Sequence, residues 1–394
     1  MKYLFMITYF ASYVTRLNYG AVLVEMQVST GFSNSSLSFA LVGLSVFYGM
    51  GQIISGLCGD RFRPKTLVFT GLLVSSILNL LMPLCPSPAG MTALWCANGF
   101  ALAFLWPPMV RLLLAYYDEE EYQRATVTVS WGSSLGTVAV YLFSPLILTF
   151  FPWQGVFVIS GVFGILMSFA WRFLCLDVAP TALSKQTEKP IGTHGKFFSP
   201  LFLCLILILV MQGALRDGVT TWMPTYVSHA YNLGTSVSIL TNVVLPFFSL
   251  ACYSLALVLY RSKLKNPLTC SFAFFGLGTL TSALLRITDG ASVFVSVLLA
   301  ALLTGAMHGI NLMLTCMVPP AYRNTGRIST VSGILNSAAY VGSAISQYGI
   351  AAISENFGWN TTLLCWCAIA LIGTLLCAVA IRPWRNLMNR NIIK

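Results

Sequence analysis

The sequence predicts an all-α membrane protein in which twelve transmembrane helices form two six-helix bundles. Hydrophobic residues make up 57% of the 394 positions and charged residues only 8%, far below the roughly 25% typical of soluble domains. Twelve apolar stretches are each long enough to cross about 30 Å of hydrocarbon as a helix. One long polar interruption divides these stretches six and six, which indicates two bundles.

Each predicted span is an apolar run of helix length that ends near polar or basic residues, Pro or Gly. The first begins directly after Lys2, is too long for the apolar part of a signal peptide and has no small-residue cleavage site, so we expect a retained helix. The spans are Tyr3–Met26, Leu37–Cys58, Thr66–Cys85, Met91–Tyr117, Ala125–Phe150, Gly155–Cys175, Pro200–Tyr226, Val237–Tyr260, Leu268–Ile287, Ala291–Met317, Ile328–Ile353 and Thr361–Ile381.

The basic residues predict the orientation of these spans. If the N-terminus is cytoplasmic, Arg286 is the one basic residue that falls in an outer loop. Apart from Arg16, Arg111 and Arg216, which lie within spans, the other lysines and arginines then fall on the cytoplasmic side. Because cytoplasmic loops are enriched in basic residues, we predict an inner (cytoplasmic) membrane protein with both termini in the cytoplasm.

The long polar interruption predicts the domain boundaries. Residues 176–198 are rich in Pro, Gly and Lys, as is typical of a flexible connection. We therefore expect an N-terminal bundle at 1–178, a cytoplasmic linker at 179–198 and a C-terminal bundle at 199–394.

Two arginines lie near the middle of predicted spans. A cation at bilayer depth costs a few kcal/mol and persists chiefly where it faces water, a partner or a cargo. Arg16 and Arg216 are 200 residues apart, and the same offset superimposes Lys65 on Lys265. This echo of the first half in the second predicts an anion-binding site between two related halves.

Composition and motifs exclude several other functions. The net charge is +11, but the basic residues fall in short loops without interleaved aromatics, so we expect no nucleic-acid binding. There is no Walker-type phosphate loop, zinc-binding spacing or nucleophile elbow, which predicts no enzyme, no cofactor and no metal. The 11 cysteines lie almost entirely in predicted helices and indicate no disulfide framework.

The loop between the second and third spans carries a specific motif. It reads Gly-Leu-Cys-Gly-Asp-Arg-Phe-Arg-Pro-Lys over residues 56–65. This resembles the signature loop of the major facilitator superfamily, whose members have two six-helix repeats with the cargo site at mid-membrane. The resemblance implies that Asp60 and Arg61 are gating residues that hold the cytoplasmic side closed and release it during the cycle.

Further stretches resemble the organophosphate:phosphate antiporter family, the group of glycerol-3-phosphate and hexose-6-phosphate transporters. They are Tyr13–Asn18 in the first span, Trp106–Arg111 in the fourth, Leu215–Val219 and Trp222–Tyr226 in the seventh, Tyr340–Ser343 in the eleventh, and Phe357–Trp359 in the last loop.

The resemblance implies roles for individual residues. Arg16 and Arg216 match the paired arginines that bind phosphate, and a guanidinium offers a planar fork to a phosphoryl group. Tyr13, about one turn before Arg16, would donate its hydroxyl to the anion or orient the guanidinium. Trp222 and Tyr340 are expected to contact the non-phosphate part of the cargo, to line the outer gate or simply to pack between helices.

The sequence also departs from this family. Gln52, in the stretch that begins with Tyr48, stands where many members carry Lys, and Gly132–Gly136 replaces an expected Asn and His. These losses remove up to two positive charges, which favours a non-phosphate anion as the alternative cargo. His308 in the tenth span is either a packing histidine or a replacement that binds cargo or a coupling proton. Tyr48, Gln52 and His308 therefore join the substrate-binding candidates.

Two further charged residues have alternative interpretations. Neighbouring helix positions point about 100° apart, so we expect Asp217 to pair with a cation other than Arg216 or to bind a coupling proton. Arg111, near the cytoplasmic end of the fourth span, is explained by snorkelling or by a salt bridge to the acidic run at 118–121.

Together these features predict a monomeric secondary transporter for a small organic anion. We expect an organophosphate exchanged for inorganic phosphate by alternating access. One alternative is a proton-coupled symporter of a carboxylate or other non-phosphate anion. The other is a non-transporting sensor of a sugar phosphate that acts through a partner membrane kinase.

Overall fold

The regular structure in residues 1–176, 199–231 and 244–392, which the computed structural model describes, is helical. The predicted linker at 179–198 and the start of the eighth predicted span lie outside these residues. The helices are α1 (Lys2–Ala21), α2 (Leu23–Thr30), α3 (Asn34–Arg61), α4 (Pro64–Leu81), α5 (Pro88–Leu102), α6 (Trp106–Tyr116), α7 (Glu119–Leu148), α8 (Trp153–Leu174), α9 (Pro200–Tyr231), α10 (Leu245–Leu259), α11 (Pro267–Ile287), α12 (Val293–Cys316) and α13 (Ile328–Ile392).

Eleven helices among the described residues are long and apolar enough to cross a membrane. They correspond to the second to twelfth predicted spans. The first span, α1 with α2, falls outside this set, since Arg16, Asn18 and several tyrosines make it more polar and its helix is interrupted at Val22. The prediction of an all-α, multi-pass membrane protein is confirmed.

Local chemistry explains one interruption within a predicted span and the backbone break between the last two spans. The fourth span divides into α5 and α6, and α6 begins at Trp106 followed by Pro107 and Pro108. Proline has no backbone N–H and a fixed φ, so it fits the first turn of a helix but not its interior. The last two spans join in α13 across Gly358, whose φ of 77° and ψ of 172° interrupt the helical backbone.

The chain divides into two compact units. The first contains Met1–Lys189 and Tyr322–Ser337, and the second contains Pro190–Ala321 and Ala338–Lys394. The start of α13 therefore groups with the N-terminal helices, whereas the predicted C-terminal bundle included it.

An aromatic cluster packs α1, α5 and α8 together in the first unit. Tyr19, Trp95 and Phe157 are fully buried, with ring centroids 5.1 to 6.0 Å apart. The Tyr19 hydroxyl donates to the carbonyl of Leu37 at 3.0 Å, so the polar atom of this buried ring is satisfied. This cluster fixes the end of α1 beyond Arg16.

Helices α9 and α13 are in direct backbone contact in the second unit. A Cβ added at Gly213 would lie 1.8 Å from the carbonyl oxygen of Ala339, and one at Gly342 would lie 1.9 Å from that of Val210. Small residues at helix interfaces in membranes allow this close approach. The contact places Tyr340 and Ser343 of α13 beside the part of α9 that carries Arg216.

We expect Gly342→Ala to lower the thermal stability of the purified protein, because its methyl group would force two backbones apart at a cost of about 1–3 kcal/mol. Gly349→Ala is a matched control on the same helix, since no atom lies within 4 Å of its added Cβ. Thermal unfolding in detergent measures both. Equal midpoints for the two variants would contradict the close packing of α9 on α13.

Candidate functional site

Asp60 of the signature loop caps the first turn of α13. Its carboxylate accepts hydrogen bonds from the backbone N–H groups of Ser329 and Thr330, both at 2.9 Å, and from the Thr330 hydroxyl at 2.6 Å. The first N–H groups of a helix have no partner within the helix and attract negative charge. Asp60, on α3, therefore caps α13, a role that usually belongs to the residue just before the helix.

Glycines allow α3 to approach α13 closely enough for this contact. A Cβ at Gly56 would lie 2.7 Å from the carbonyl oxygen of Ser329, and one at Gly59 would lie 2.8 Å from the Ser329 side chain. Arg61, the other predicted gating residue, is the exposed last residue of α3. Its positive charge there suits the carboxyl end of a helix.

The expected salt bridge or snorkelling of Arg111 is wrong. Arg111 is buried and donates to the carbonyl of Gly59, within electrostatic range of Asp60. Asp118 instead caps α7 by accepting from the N–H of Glu121 at 2.7 Å. Arg111, in the middle of α6, lies against the signature loop, so its charge is satisfied there rather than in the acidic run.

Arg16 lies against aromatic rings in the first unit. Its Cζ is 4.3 Å from the ring centroid of Tyr48 on α3 and 5.8 Å from that of Tyr13, one turn earlier on α1. Tyr48 is buried, whereas Arg16 and Tyr13 are half-buried. A guanidinium over an aromatic face gains about 0.5 to 2 kcal/mol, more where it is desolvated. The structure thus brings three of the predicted substrate-binding residues together.

A network of neutral polar groups lies next to Arg16. The carbonyl oxygen of Thr15 accepts from the amides of Asn79 on α4, at 2.9 Å, and of Asn98 on α5, at 3.0 Å. Asn18 donates to the Asn79 carbonyl oxygen at 2.7 Å. The Ser75 hydroxyl is 2.6 Å from the Asn98 carbonyl oxygen.

All five residues of this asparagine network, Thr15, Asn18, Ser75, Asn79 and Asn98, have no exposed surface. Buried polar groups with hydrogen-bond partners restrict the helices that carry them to one arrangement. The network joins α1 to α4 and α5 directly beside Arg16. It therefore fixes the position from which this guanidinium extends.

Gln52 is fully buried and donates to the carbonyl of Ala103 at 3.3 Å, in the interruption between α5 and α6. A Cβ at Gly333 of α13 would lie 2.3 Å from the Gln52 carbonyl oxygen, so both sides of this part of α3 are covered. Gln52 therefore contacts protein and not solvent here, unlike Arg16 and Tyr13.

Arg216 forms a two-pronged ion pair with Asp217. Its Nε and a terminal nitrogen lie 2.6 and 2.8 Å from the two carboxylate oxygens. The expectation that Asp217 pairs with a different cation is wrong. The 100° between neighbouring helix positions separates their Cα–Cβ directions, but the long arginine side chain spans this angle and brings its fork back to the carboxylate.

Residues of α13 surround the ion pair. The Arg216 Cζ is 5.4 Å from the ring centroid of Tyr340, and the Ser343 hydroxyl donates to Asp217. Farther along α9, the Trp222 indole N–H donates to the carbonyl of Gln347 at 3.1 Å. The second unit therefore also places a tyrosine ring beside its arginine.

Helix α12 completes the surroundings of Arg216. On this helix, the Nδ1 atom of His308 is 2.9 Å from the hydroxyl of Tyr253 on α10. His308 lies within electrostatic range of both Arg216 and Asp217. Gln212, one turn before Arg216, is fully buried and donates to the carbonyl of Met307 at 2.9 Å. His308 and Tyr340 thus belong to the same neighbourhood as Arg216.

Sequence reasoning missed the asparagine network and the Arg216–Asp217 pair. A signal for the network was present, since Asn79 and Asn98 are polar residues inside long apolar runs and such residues seldom occur without a partner. The sequence signal for the ion pair was weaker, because adjacency along a helix does not indicate contact between side chains.

Comparison with known proteins agrees with this architecture. The sequence profile described as "Major Facilitator Superfamily" matches residues 5–346. The crystal structure of a transporter of that superfamily, FucP, superimposes with a TM-score of 0.77 at 13% identity, covering 96% of this chain and 98% of FucP. The expected two-repeat transporter fold is confirmed.

Relatives of known name are similar over much of the chain. The probable hexose phosphate transport protein of Chlamydia muridarum is 22% identical, over 92% of this chain and 86% of its own length. The glycerol-3-phosphate transporter of Bacillus subtilis is 28% identical, over 57% of this chain and 56% of its own. The membrane sensor protein UhpC of Salmonella typhimurium is 23% identical, over 95% and 88%.

We expect Asp60→Ala to speed hydrogen exchange at the amides of Ser329 and Thr330. Losing a helix cap costs about 1–2 kcal/mol, which corresponds to roughly 5- to 30-fold faster exchange where local opening limits it. Asp118→Ala is the matched control, because it removes a cap of the same kind from the Glu121 amide and should leave α13 unchanged. Unaltered exchange at both α13 amides in folded Asp60→Ala would refute the capping role.

Proposed function

This chain belongs to the Major Facilitator Superfamily, and from that premise we propose that it carries a small organic anion across the membrane by alternating access. The anion we propose is an organophosphate, exchanged for inorganic phosphate. The observation that carries this proposal is the pair of intramembrane arginines, Arg16 and Arg216, each beside a tyrosine ring.

Arginine chemistry favours a phosphoryl group as the cargo. A guanidinium stays charged at any physiological pH and presents N–H donors in a plane that matches two oxygens of a phosphate. A phosphoryl dianion has the charge and the oxygens that a guanidinium such as that of Arg16 or Arg216 can bind. Relatives named as hexose phosphate and glycerol-3-phosphate transport proteins support the same class of cargo.

The conformational change would be driven by the difference in anion affinity between conformations, as any ligand-driven change requires. A bound anion offsets the charge of an arginine at membrane depth, so closing the site to water costs less with cargo present. The Asp60 contact with Ser329 and Thr330 is a second component of the cycle. As a gating contact, it would break when the cytoplasmic side opens.

We place the protein in the inner (cytoplasmic) membrane with both termini in the cytoplasm, on the distribution of lysines and arginines among the loops. We propose a monomer as the functional unit.

A proton-coupled symporter of a carboxylate is the second candidate function. The observation that favours it is Asp217, a carboxylate at membrane depth that could take up a proton. Gln52 favours the same function, because it stands where many members of the resembled family carry Lys and so lowers the positive charge available to a phosphate.

A sensor of a sugar phosphate is the third candidate, on the similarity to the membrane sensor protein UhpC. Such a protein would bind the anion without transporting it and would act through a membrane kinase. Uptake by vesicles that contain only this chain would exclude the sensor.

We expect Arg16→Lys and Arg216→Lys each to weaken phosphate binding by about tenfold or more, because an ammonium lacks the planar fork and one charge-assisted hydrogen bond contributes roughly 1.5–3 kcal/mol. The measurement is the ligand-induced rise in unfolding temperature of the purified protein with inorganic phosphate and a panel of phosphorylated and carboxylated metabolites. Arg124→Lys is the matched control, since this exposed arginine pairs with Glu120 on the surface of α7. Undiminished stabilisation in the first two variants would mean that these arginines do not bind the anion.

We expect liposomes containing the wild-type protein and loaded with phosphate to take up labelled phosphate by counterflow without an imposed pH gradient, because exchange needs no other driving ion. Liposomes with Arg216→Lys should show little uptake. Uptake that requires a pH gradient and does not respond to internal phosphate would instead establish the symporter.

A further inference from the structure

Asp217 breaks the symmetry between the two arginines. At the 200-residue offset that superimposes Arg16 on Arg216, the position of Asp217 corresponds to Leu17. The second arginine therefore carries an acid as its neighbour, and the first carries an apolar residue. The echo of one half in the other would have predicted two equivalent arginines, so the acid needs a separate explanation.

The Asp217 carboxylate binds Arg216 as a cargo anion would. It presents two oxygens to Nε and a terminal nitrogen of the guanidinium, at 2.6 and 2.8 Å. These are the same two-pronged contacts that a carboxylate or phosphate ligand makes with arginine. Only 10% of the Arg216 side chain is exposed, compared with 28% of that of Asp217.

Ser343 provides a second contact for Asp217 that does not involve Arg216. Its hydroxyl donates to Oδ2 of the carboxylate and also lies within hydrogen-bond distance of the carbonyls of Gly213 and Ala339. When the carboxylate leaves the guanidinium, this hydroxyl still donates to it. Displacement therefore does not leave Asp217 without a donor, which lowers its cost.

We propose that Asp217 is an internal competitor for the cargo anion at Arg216. This inference rests on the proposed function, since it assumes that Arg216 binds an anion. Every anion must displace the same carboxylate, which is held nearby at a high effective concentration. The resulting penalty is equal for all anions, and only ligands that bind strongly retain useful affinity.

Competition by Asp217 sets a threshold on the cargo. A simple carboxylate offers Arg216 the same two oxygens that Asp217 already offers, so it gains little by the exchange. A phosphoryl dianion offers a further charge and a further oxygen, which other donors can bind. Tyr340 on α13 and His308, which contacts Tyr253, are titratable groups near Arg216 in the described part of the chain. Asp217 therefore sets an affinity threshold that a multiply charged anion can exceed, while the ratio of affinities between anions stays unchanged.

The test is the affinity of the purified full-length protein for inorganic phosphate and for acetate at one fixed pH. We expect Asp217→Asn to bind phosphate about tenfold more tightly than the wild type, because a competing charge-assisted pair is removed. Acetate affinity should rise by a similar factor. A residue with a merely structural role would lower both affinities when replaced.

Two further variants control for other effects. Asp289→Asn removes another carboxylate of the second unit, one that accepts from the Tyr226 hydroxyl at 2.6 Å, and should change phosphate affinity little. Ser343→Ala should weaken phosphate binding severalfold, because displaced Asp217 then loses the hydroxyl donor of Ser343. Unfolding temperatures without ligand show whether each variant is folded, and that of Asp217→Asn should fall because Arg216 loses its ion pair.

The outcomes separate this inference from the proposed function. If Arg216→Lys weakens phosphate binding but folded Asp217→Asn does not tighten it, Asp217 is not a competitor and the anion site stands. If Asp289→Asn tightened phosphate binding equally, the cause would be the loss of any negative charge from this unit and not the release of Arg216. That result would overturn the inference. If neither Arg216→Lys nor Asp217→Asn changes phosphate affinity, the proposed function fails as well.

Discussion

Keeping a guanidinium charged inside an apolar bundle is the constraint on which the rest of this molecule depends. Desolvation opposes the charge, and each arginine is retained by a different set of neighbours. Arg16 lies over the ring of Tyr48, Arg216 binds Asp217 beside Tyr340, and Arg111 donates to a carbonyl of the signature loop. The close helix contacts around them serve to hold those neighbours in place.

Much of the fold could be predicted from the sequence because the bilayer imposes a simple pattern. Apolar runs of sufficient length predicted the helices, and the structure contains them; Pro107 marks an interruption that the run lengths alone did not predict, whereas Gly358 lies in the predicted break between the last two spans. The loop motif around Asp60 and the paired arginines identified the superfamily, which the family comparison confirmed. Helix boundaries and the grouping of the start of α13 with the N-terminal helices depend on tertiary packing, so they are harder to predict from the sequence.

The candidate site was predicted in part, and the failures have physical causes. Arg16 with Tyr13 and Tyr48, and Arg216 with Tyr340 and His308, do lie in common neighbourhoods within their units. The pairing of Asp217 was mispredicted because the direction of a Cβ atom does not limit a side chain with four rotatable bonds. Asn79 and Asn98 escaped notice because an uncharged amide is a weak signal in an apolar run, although its hydrogen bonds are essential once it is buried.

The asparagine network also has an electrical consequence. Thr15, Asn18, Ser75, Asn79 and Asn98 carry no formal charge, so neither a change in proton concentration nor the voltage across the membrane acts directly on the bonds that fix α1. The Arg216–Asp217 pair, by contrast, consists of two full charges, one of which can be titrated. The bonds that fix α1 are therefore insensitive to membrane energisation, even though the Arg16 guanidinium that they position carries a full charge.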